Sequence, residues 1–156
     1  MKDEFIIYID RLKDCQVEKI DLNLSPAFME IHENDLAFND EIQVEGSFYT
    51  TPDHLIGNLQ ITTSLLMPCS ICDKTFSIPV CIDNYYITEP LENIPSGLYY
   101  PQDGIREAIL LETPSFYECN NGQCPCRKEF AAILGQKNKK EKKAEQKCYL
   151  PFKDLE

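Results

Sequence analysis

Between residues 41 and 50, Ile42, Val44, Gly46 and Phe48 take every second position, and Glu41, Gln43, Glu45 and Ser47 stand between them. Period two turns one set toward a core and the other toward water, so this stretch predicts a half-buried strand. Residues 17–24 alternate with one slip (Val17, Ile20, Leu22, Leu24) and stop at Ser25-Pro26, predicting another. Residues 4–9 are a short run of β-formers and predict a strand. Thr51-Pro52-Asp53 supplies a turn, and residues 57–67 predict the strand that runs into Pro68-Cys69. Alternation returns over 75–82 and again over 84–88. Residues 27–36 are ambiguous. Ser25 could cap a short helix with Pro26 at its first position, and Phe28, Ile31 and Leu36 face inward in either case.

The pattern changes after residue 88. Pro90, Pro95, Gly97 and Pro101 make residues 89–102 a loop. Asp103 is expected to cap a helix over 104–112, with Ile105, Ala108, Ile109 and Leu111 or Glu112 as its inward stripe and Pro114 as its stop. Arg127 opens a last helix through Leu134, with Gly135 as its break or C-cap. The expected fold is therefore α+β: a mainly antiparallel β-sheet with a cysteine-tipped hairpin and two short C-terminal helices. One domain over 1–135 and a Lys-rich tail over 136–156 follow from the change in composition.

Composition narrows this picture. The chain has 156 residues and is 43 % hydrophobic, enough for a core. Its net charge is −11, unevenly spread. Residues 137–147 hold six lysines and two glutamates, a net +4, against nine basic and 24 acidic residues elsewhere. An acidic body repels phosphate backbones and suits a basic partner, while the Lys cluster could touch RNA. The acidic N-terminus reads as no signal peptide, and no stretch approaches the roughly 18 apolar residues of a membrane span. The expected location is the cytoplasm, where thiols stay reduced and eight cysteines point to metal rather than disulfides.

Four of those cysteines form two separated pairs: Cys69-Ser70-Ile71-Cys72 and Cys119-Asn120-Asn121-Gly122-Gln123-Cys124. A C-x2-C far upstream of a C-x4-C is the spacing of a four-thiolate zinc site, each pair aiming two sulfurs from a tight turn. Gly122 gives turn freedom, and Asn120-Asn121 tolerates left-handed backbone. The expected ligands of a structural Zn2+ are Cys69, Cys72, Cys119 and Cys124, with Cys126 as an alternative to Cys124. A thioredoxin-like site would open a helix after Cys72, but the residues there alternate and include Pro79.

Other residues read more simply. His32 and His54 are isolated, His54 following Thr51-Pro52-Asp53 in a turn as a surface residue; Cys81 is expected in the core, and Cys15 and Cys148 lack partners at ligand spacing. The acidic groups form no recognisable catalytic pair. Tyr85, Tyr86, Tyr99 and Tyr100 could stack bases but bracket a Pro-rich loop, where aromatics usually pack.

Four pieces in order carry a resemblance. A strand enters C-x2-C in Leu65-Leu66-Met67-Pro68-Cys69-Ser70-Ile71-Cys72, and a β segment with an aromatic follows in Thr75-Phe76-Ser77-Ile78-Pro79-Val80. A short helix leads to a proline over Ile105–Pro114, and the second Cys pair precedes Phe130-Ala131-Ala132-Ile133-Leu134. This order resembles the YceD family, linked to accumulation of large-subunit ribosomal RNA in bacteria and chloroplasts. The likeness covers residues 40–135. Some relatives carry His where Cys119 stands, which fits Cys119 and Cys124 as the second half-site. Cys126 is extra, and Ser70-Ile71 replace an arginine common in relatives, so no RNA contact by that arginine is expected here. The resemblance implies a non-enzymatic factor for ribosome assembly, with large-subunit rRNA or basic large-subunit ribosomal proteins as partners and no small-molecule substrate. A zinc-stabilised protein-interaction module outside the ribosome is the alternative, and a thiol oxidoreductase using Cys69 and Cys72 is a third class.

Overall fold

The computed structural model describes residues 5–141. Glu4 of the expected 4–9 strand, most of the Lys-rich tail and Cys148 lie outside this range. Four antiparallel strands form the main sheet in sequence order: β2 (Glu18–Leu24), β3 (Ile42–Thr50), β4 (His54–Pro68) and β5 (Thr75–Pro90). A second, two-stranded sheet pairs β1 (Ile7–Tyr8) with β6 (Leu98–Tyr99). Helix α1 (Gln102–Glu112) packs on β5, a single turn α2 (Cys119–Gly122) follows, and α3 (Arg127–Glu141) closes the described chain. The architecture is α+β, as the periodicity implies.

Rows of inward side chains run across the strands. Leu22 stands beside Val44, Val44 beside Ile61 and Ile61 beside Ile82. The next rows join Ile20, Gly46, Leu59 and Tyr85, then Phe48, Gly57 and Ile87. Phe5, Ile7, Leu12, Ile105 and Ile109 cover this face and complete one core. Two glycines interrupt the rows because neighbours fill their space. A Cβ on Gly57 would stand 2.5 Å from the Phe48 ring, so the ring lies over the bare backbone. Gly46 has φ +156, and a Cβ there would run into the Asn58 carbonyl oxygen and stand 2.9 Å from Leu59 Cα. Gly46→Ala is therefore expected to destabilise by about 3 kcal/mol, since backbone of a paired strand cannot step aside. Urea unfolding with an unchanged slope and a lowered midpoint is the readout.

The β4–β5 hairpin outgrows the sheet. β3 pairs with β4 only as far as Thr62, and beyond it Thr63–Pro68 and Thr75–Val80 continue as a two-stranded ribbon. A bridge from Ala37 to Leu66 is its lateral backbone support, with N–O distances of 2.7 and 3.2 Å. An isolated two-stranded ribbon is marginal in water, so its far end needs a further anchor.

Several expectations need correction. The two segments 75–82 and 84–88 are one strand with a bulge: Leu59 faces Tyr85 and Ile61 faces Ile82, leaving Asp83 and Asn84 opposite Gln60. The extra residue shifts the alternation by one, which looks like a break in the sequence. The N-terminal strand is shorter than expected, because Ile9–Leu12 turns into a 3-10 helix that buries Leu12. The loop 89–102 contains a 3-10 turn at Leu91–Asn93 and strand β6. Ser25 does cap a 3-10 turn over Pro26–Met29, accepting from the Ala27 N–H at 3.2 Å. Asp103 does not cap α1. Pro101 holds the N-cap position, and Asp103 sits in the first turn, where it accepts from Arg106 at 3.1 Å. Leu111 points outward at 76 % exposure. Cys81 is exposed rather than core, since it pairs with Thr62 on the outer sheet face. Gly135 neither breaks nor ends α3, which runs on to Glu141. Glycine permits a left-handed cap but does not impose one. No helix among the described residues is long and apolar enough to cross a membrane.

Candidate metal centre

The ribbon ends in the first cysteine turn. Cys69 N–H donates to the Lys74 carbonyl at 2.8 Å and Asp73 N–H to the Cys69 carbonyl at 2.9 Å, while Asp73 takes a left-handed φ of 60. These bonds fold Cys69–Lys74 tightly enough to aim Cys69 and Cys72 the same way. The second turn is built from left-handed residues in succession: Asn120 (φ 57), Asn121 (φ 53) and Gly122 (φ 82). Asparagine and glycine tolerate this region best, so the composition of the C-x4-C loop explains its shape. Ser70 N–H donates to the Tyr117 carbonyl at 2.7 Å, and Cys69 bridges Tyr117 in parallel, joining the two turns.

The four sulfurs of Cys69, Cys72, Cys119 and Cys124 lie within 4.8 Å of one another. Cys72 Sγ stands 3.8 Å from Cys119 Sγ. Around a tetrahedral ion with metal–sulfur bonds of about 2.3 Å, ligand sulfurs are about 3.8 Å apart, so the cluster fits such an ion. Cys69, Cys119 and Cys124 are buried and Cys72 is partly so, with Ile71, Phe76 and Tyr117 packed around them. The Phe76 and Tyr117 rings stand 6.0 Å apart, one from β5 and one from the loop before the second turn. Cys126 packs against the same cluster but is not one of the four converging sulfurs.

The electrostatics suit bound thiolate. Burial pushes the Cys69 thiol up, but N–H donors from Cys119, Cys72 and Ile71 outweigh it and bring it down to about 6. Two of those bonds measure 3.3 Å (Cys119) and 3.4 Å (Ile71). Cys119 is pushed well above the ordinary thiol range by burial and by the sulfurs of Cys124, Cys69 and Cys72 around it. Thiols this close cannot all ionise together unless a cation shares their charge, so an ion entering the cluster displaces protons.

The sequence reading missed Glu118 and Arg127. Glu118 is a buried carboxylate that accepts from the Cys124 N–H at 3.1 Å and from Arg127 Nε at 2.8 Å. Arg127 Nη2 reaches its other oxygen, giving a two-point grip. The arginine's hydrogen bonds, with the Cys124 N–H, outweigh burial and hold the Glu118 carboxyl down at about 2. Glu118 thus bolts the start of α3 to the second cysteine turn. Spacing alone carries no signal for it, since acids flank many cysteines without such a role. Glu118→Gln is expected to weaken metal affinity by about 10–100-fold, the usual cost of losing a group that orients a ligand. Competition against a chromophoric chelator reads this directly.

Elsewhere, His32 is exposed and His54 is half-buried at the start of β4 rather than free in a turn. Cys15 is exposed. Tyr85 and Tyr99 pack on the core, whereas Tyr86 and Tyr100 are 65 % and 52 % exposed, so the four do not share one stacking surface. Comparison with protein-family models, curated proteins and solved structures returns no match.

Proposed function

We propose that the chain is a non-enzymatic factor supporting accumulation of large-subunit ribosomal RNA during ribosome assembly, held in shape by a structural zinc ion. The observation that carries this reading is the convergence of Cys69, Cys72, Cys119 and Cys124 from turns far apart in the chain. The same four residues anchor the motif order that resembles the YceD family. Four soft thiolates in a tetrahedral set suit zinc or iron, and one small buried cluster of four sulfurs suits a lone zinc ion. Four protein ligands fill its coordination sphere and leave no position for water or substrate, which supports a structural role over a catalytic one. Cys69 is 1 % exposed, and a strand rather than a helix follows Cys72, which supports ligation over thiol exchange. Such a factor works in the cytoplasm, where thiols stay reduced.

The test is a crosslinked pull-down of the tagged chain from growing cells, reading RNA and protein together, beside its migration on a sedimentation gradient. Enrichment of large-subunit rRNA or its ribosomal proteins over the small subunit is expected. Absence of that enrichment, with some unrelated protein captured, would remove the assembly role and leave a zinc-stabilised interaction module. The net charge of −11 favours a basic protein over bare RNA as the direct ligand of the body.

A further inference from the structure

Helix α1 and strand β5 do not close against each other along their whole length. Between them runs a groove of about 460 Å³, lined by Ile82, Tyr85, Glu107, Ala108, Leu111 and Glu112 among others. The helix contributes one row at helical spacing, so Glu107, Ala108, Leu111 and Glu112 share a face. Ile82, Ala108 and Leu111 make the apolar part, and Leu111 is left 76 % exposed. Glu107 and Glu112 form an acidic rim, and neither is in an ion pair among the described residues. Tyr85 closes one end against the bare backbone of Gly104, where a Cβ would stand 2.6 Å from the Tyr85 hydroxyl. Burial and the Glu107 carboxylate both raise the Tyr85 phenol above its ordinary range.

Two features are costly without an occupant. Leu111 exposes most of its side chain, more than any other apolar residue of α1: Ile105, Ala108 and Ile109 are buried and Leu110 is 43 % exposed. Glu112 ends α1, where the helix dipole is negative and no basic residue sits in the last turn. One chemistry relieves both: a cationic head on an apolar stem. A lysine or arginine buries its methylenes on apolar surface while its charge stays at the rim.

We propose that the groove between α1 and β5 is a docking site for a basic segment of a partner protein, its Lys or Arg stem on Ile82, Ala108 and Leu111 and its charge between Glu107 and Glu112. This deepens the assembly-factor reading and rests on it for the source of the segment, a basic large-subunit ribosomal protein. The lining holds no basic side chain, so an RNA phosphate is excluded from this groove by the same charge that attracts the segment.

The test uses the full, metal-loaded chain, isotopically labelled and titrated with a synthetic peptide of alternating lysine and leucine. Resonance shifts are expected at Tyr85, Ala108 and Leu111. Glu107→Gln with Glu112→Gln is expected to weaken binding about tenfold, the worth of two exposed charge pairs. Glu45→Gln with Asp83→Asn removes equal charge from the opposite sheet face, where these residues line a separate polar hollow. That control is expected to leave binding unchanged. Equal weakening by both double variants would reduce the attraction to overall charge and overturn the groove, as would no binding by the unaltered chain. Gradient migration separates the two readings. If the peptide binds in the groove but the protein avoids large-subunit precursors, the assembly role falls and the groove stands. If the protein travels with precursors and the groove variant binds peptide normally, the groove falls and the role stands.

Discussion

Cys119→Ser is expected to release the bound ion and free the hairpin tip while the four-stranded sheet stays folded. Cys119 ties the second turn to both cysteines of the first: its N–H donates to Cys69 Sγ at 3.3 Å and its own sulfur stands 3.8 Å from Cys72 Sγ. Structural zinc in small finger peptides contributes about 10–16 kcal/mol of apparent binding energy, and that energy becomes folding energy where the site is not preformed. Here an ion would order a small satellite cluster around Cys69, Cys119 and Cys124, separate from the main core of Ile42, Val44, Phe48, Leu59 and Ile61. Loss should therefore be local. Amide exchange is expected to accelerate at Cys69, Ser70, Cys124 and Arg127, whose N–H groups hold the two turns together. Amides of β3 and of β4 before Thr62 should keep their protection. A strong chelator should reproduce the pattern in the unaltered protein. Simultaneous loss of the sheet would contradict a local clamp, and an unchanged tip would contradict any clamp.

Phe48→Ala is expected to destabilise the whole domain by about 4 kcal/mol, an ordinary cost for truncating a fully buried aromatic. Phe48 is fully buried, and its ring stands 6.2 Å from Phe5 and 6.5 Å from Tyr99. It joins β3 to the N-terminal segment and β6, which pair with each other but with no strand of the main sheet. The cavity left behind could not collapse easily. The nearest position below the ring is Gly57, which has no side chain to move in. Phe48→Leu retains much of the volume and should cost about 1.5 kcal/mol or less. The readout is the denaturant midpoint for each variant, with the two losses clearly ranked. Equal losses would mean that the aromatic contacts matter more than the void.

Where one period ran uninterrupted, the sequence was readable. Ile42, Val44 and Phe48 are all buried and Glu41, Gln43 and Glu45 are all exposed, because a strand with one wet face has no freedom to hide its register. Legibility failed where a single residue shifted the phase. The bulge at Asp83 and Asn84 made one strand look like two, and Cys81 on the outer face looked like core. The cap of α1 was misplaced because Asp103 is a good N-cap type, yet the chain enters through Pro101 and the aspartate holds Arg106 instead. In the candidate metal centre, the four converging cysteines were visible from spacing, since chelation demands pairs on tight turns. The left-handed run through Asn120, Asn121 and Gly122 was visible from composition. Glu118 was not, because its role depends on Arg127 arriving from the next helix, a fact of tertiary packing. The unpaired rim of Glu107 and Glu112 was equally hidden, since it depends on which face of α1 meets β5.

Cys69, Cys72, Cys119 and Cys124, and not Cys126, are expected to hold one ion. Native mass spectrometry of the purified chain and of five single Cys→Ser variants tests it most directly. One zinc ion per chain is expected, lost or greatly weakened in the variants at Cys69, Cys72, Cys119 and Cys124 and retained at Cys126. A chain purified under reducing conditions that takes up no metal, or one whose metal depends on Cys126 and survives loss of Cys124, would contradict it.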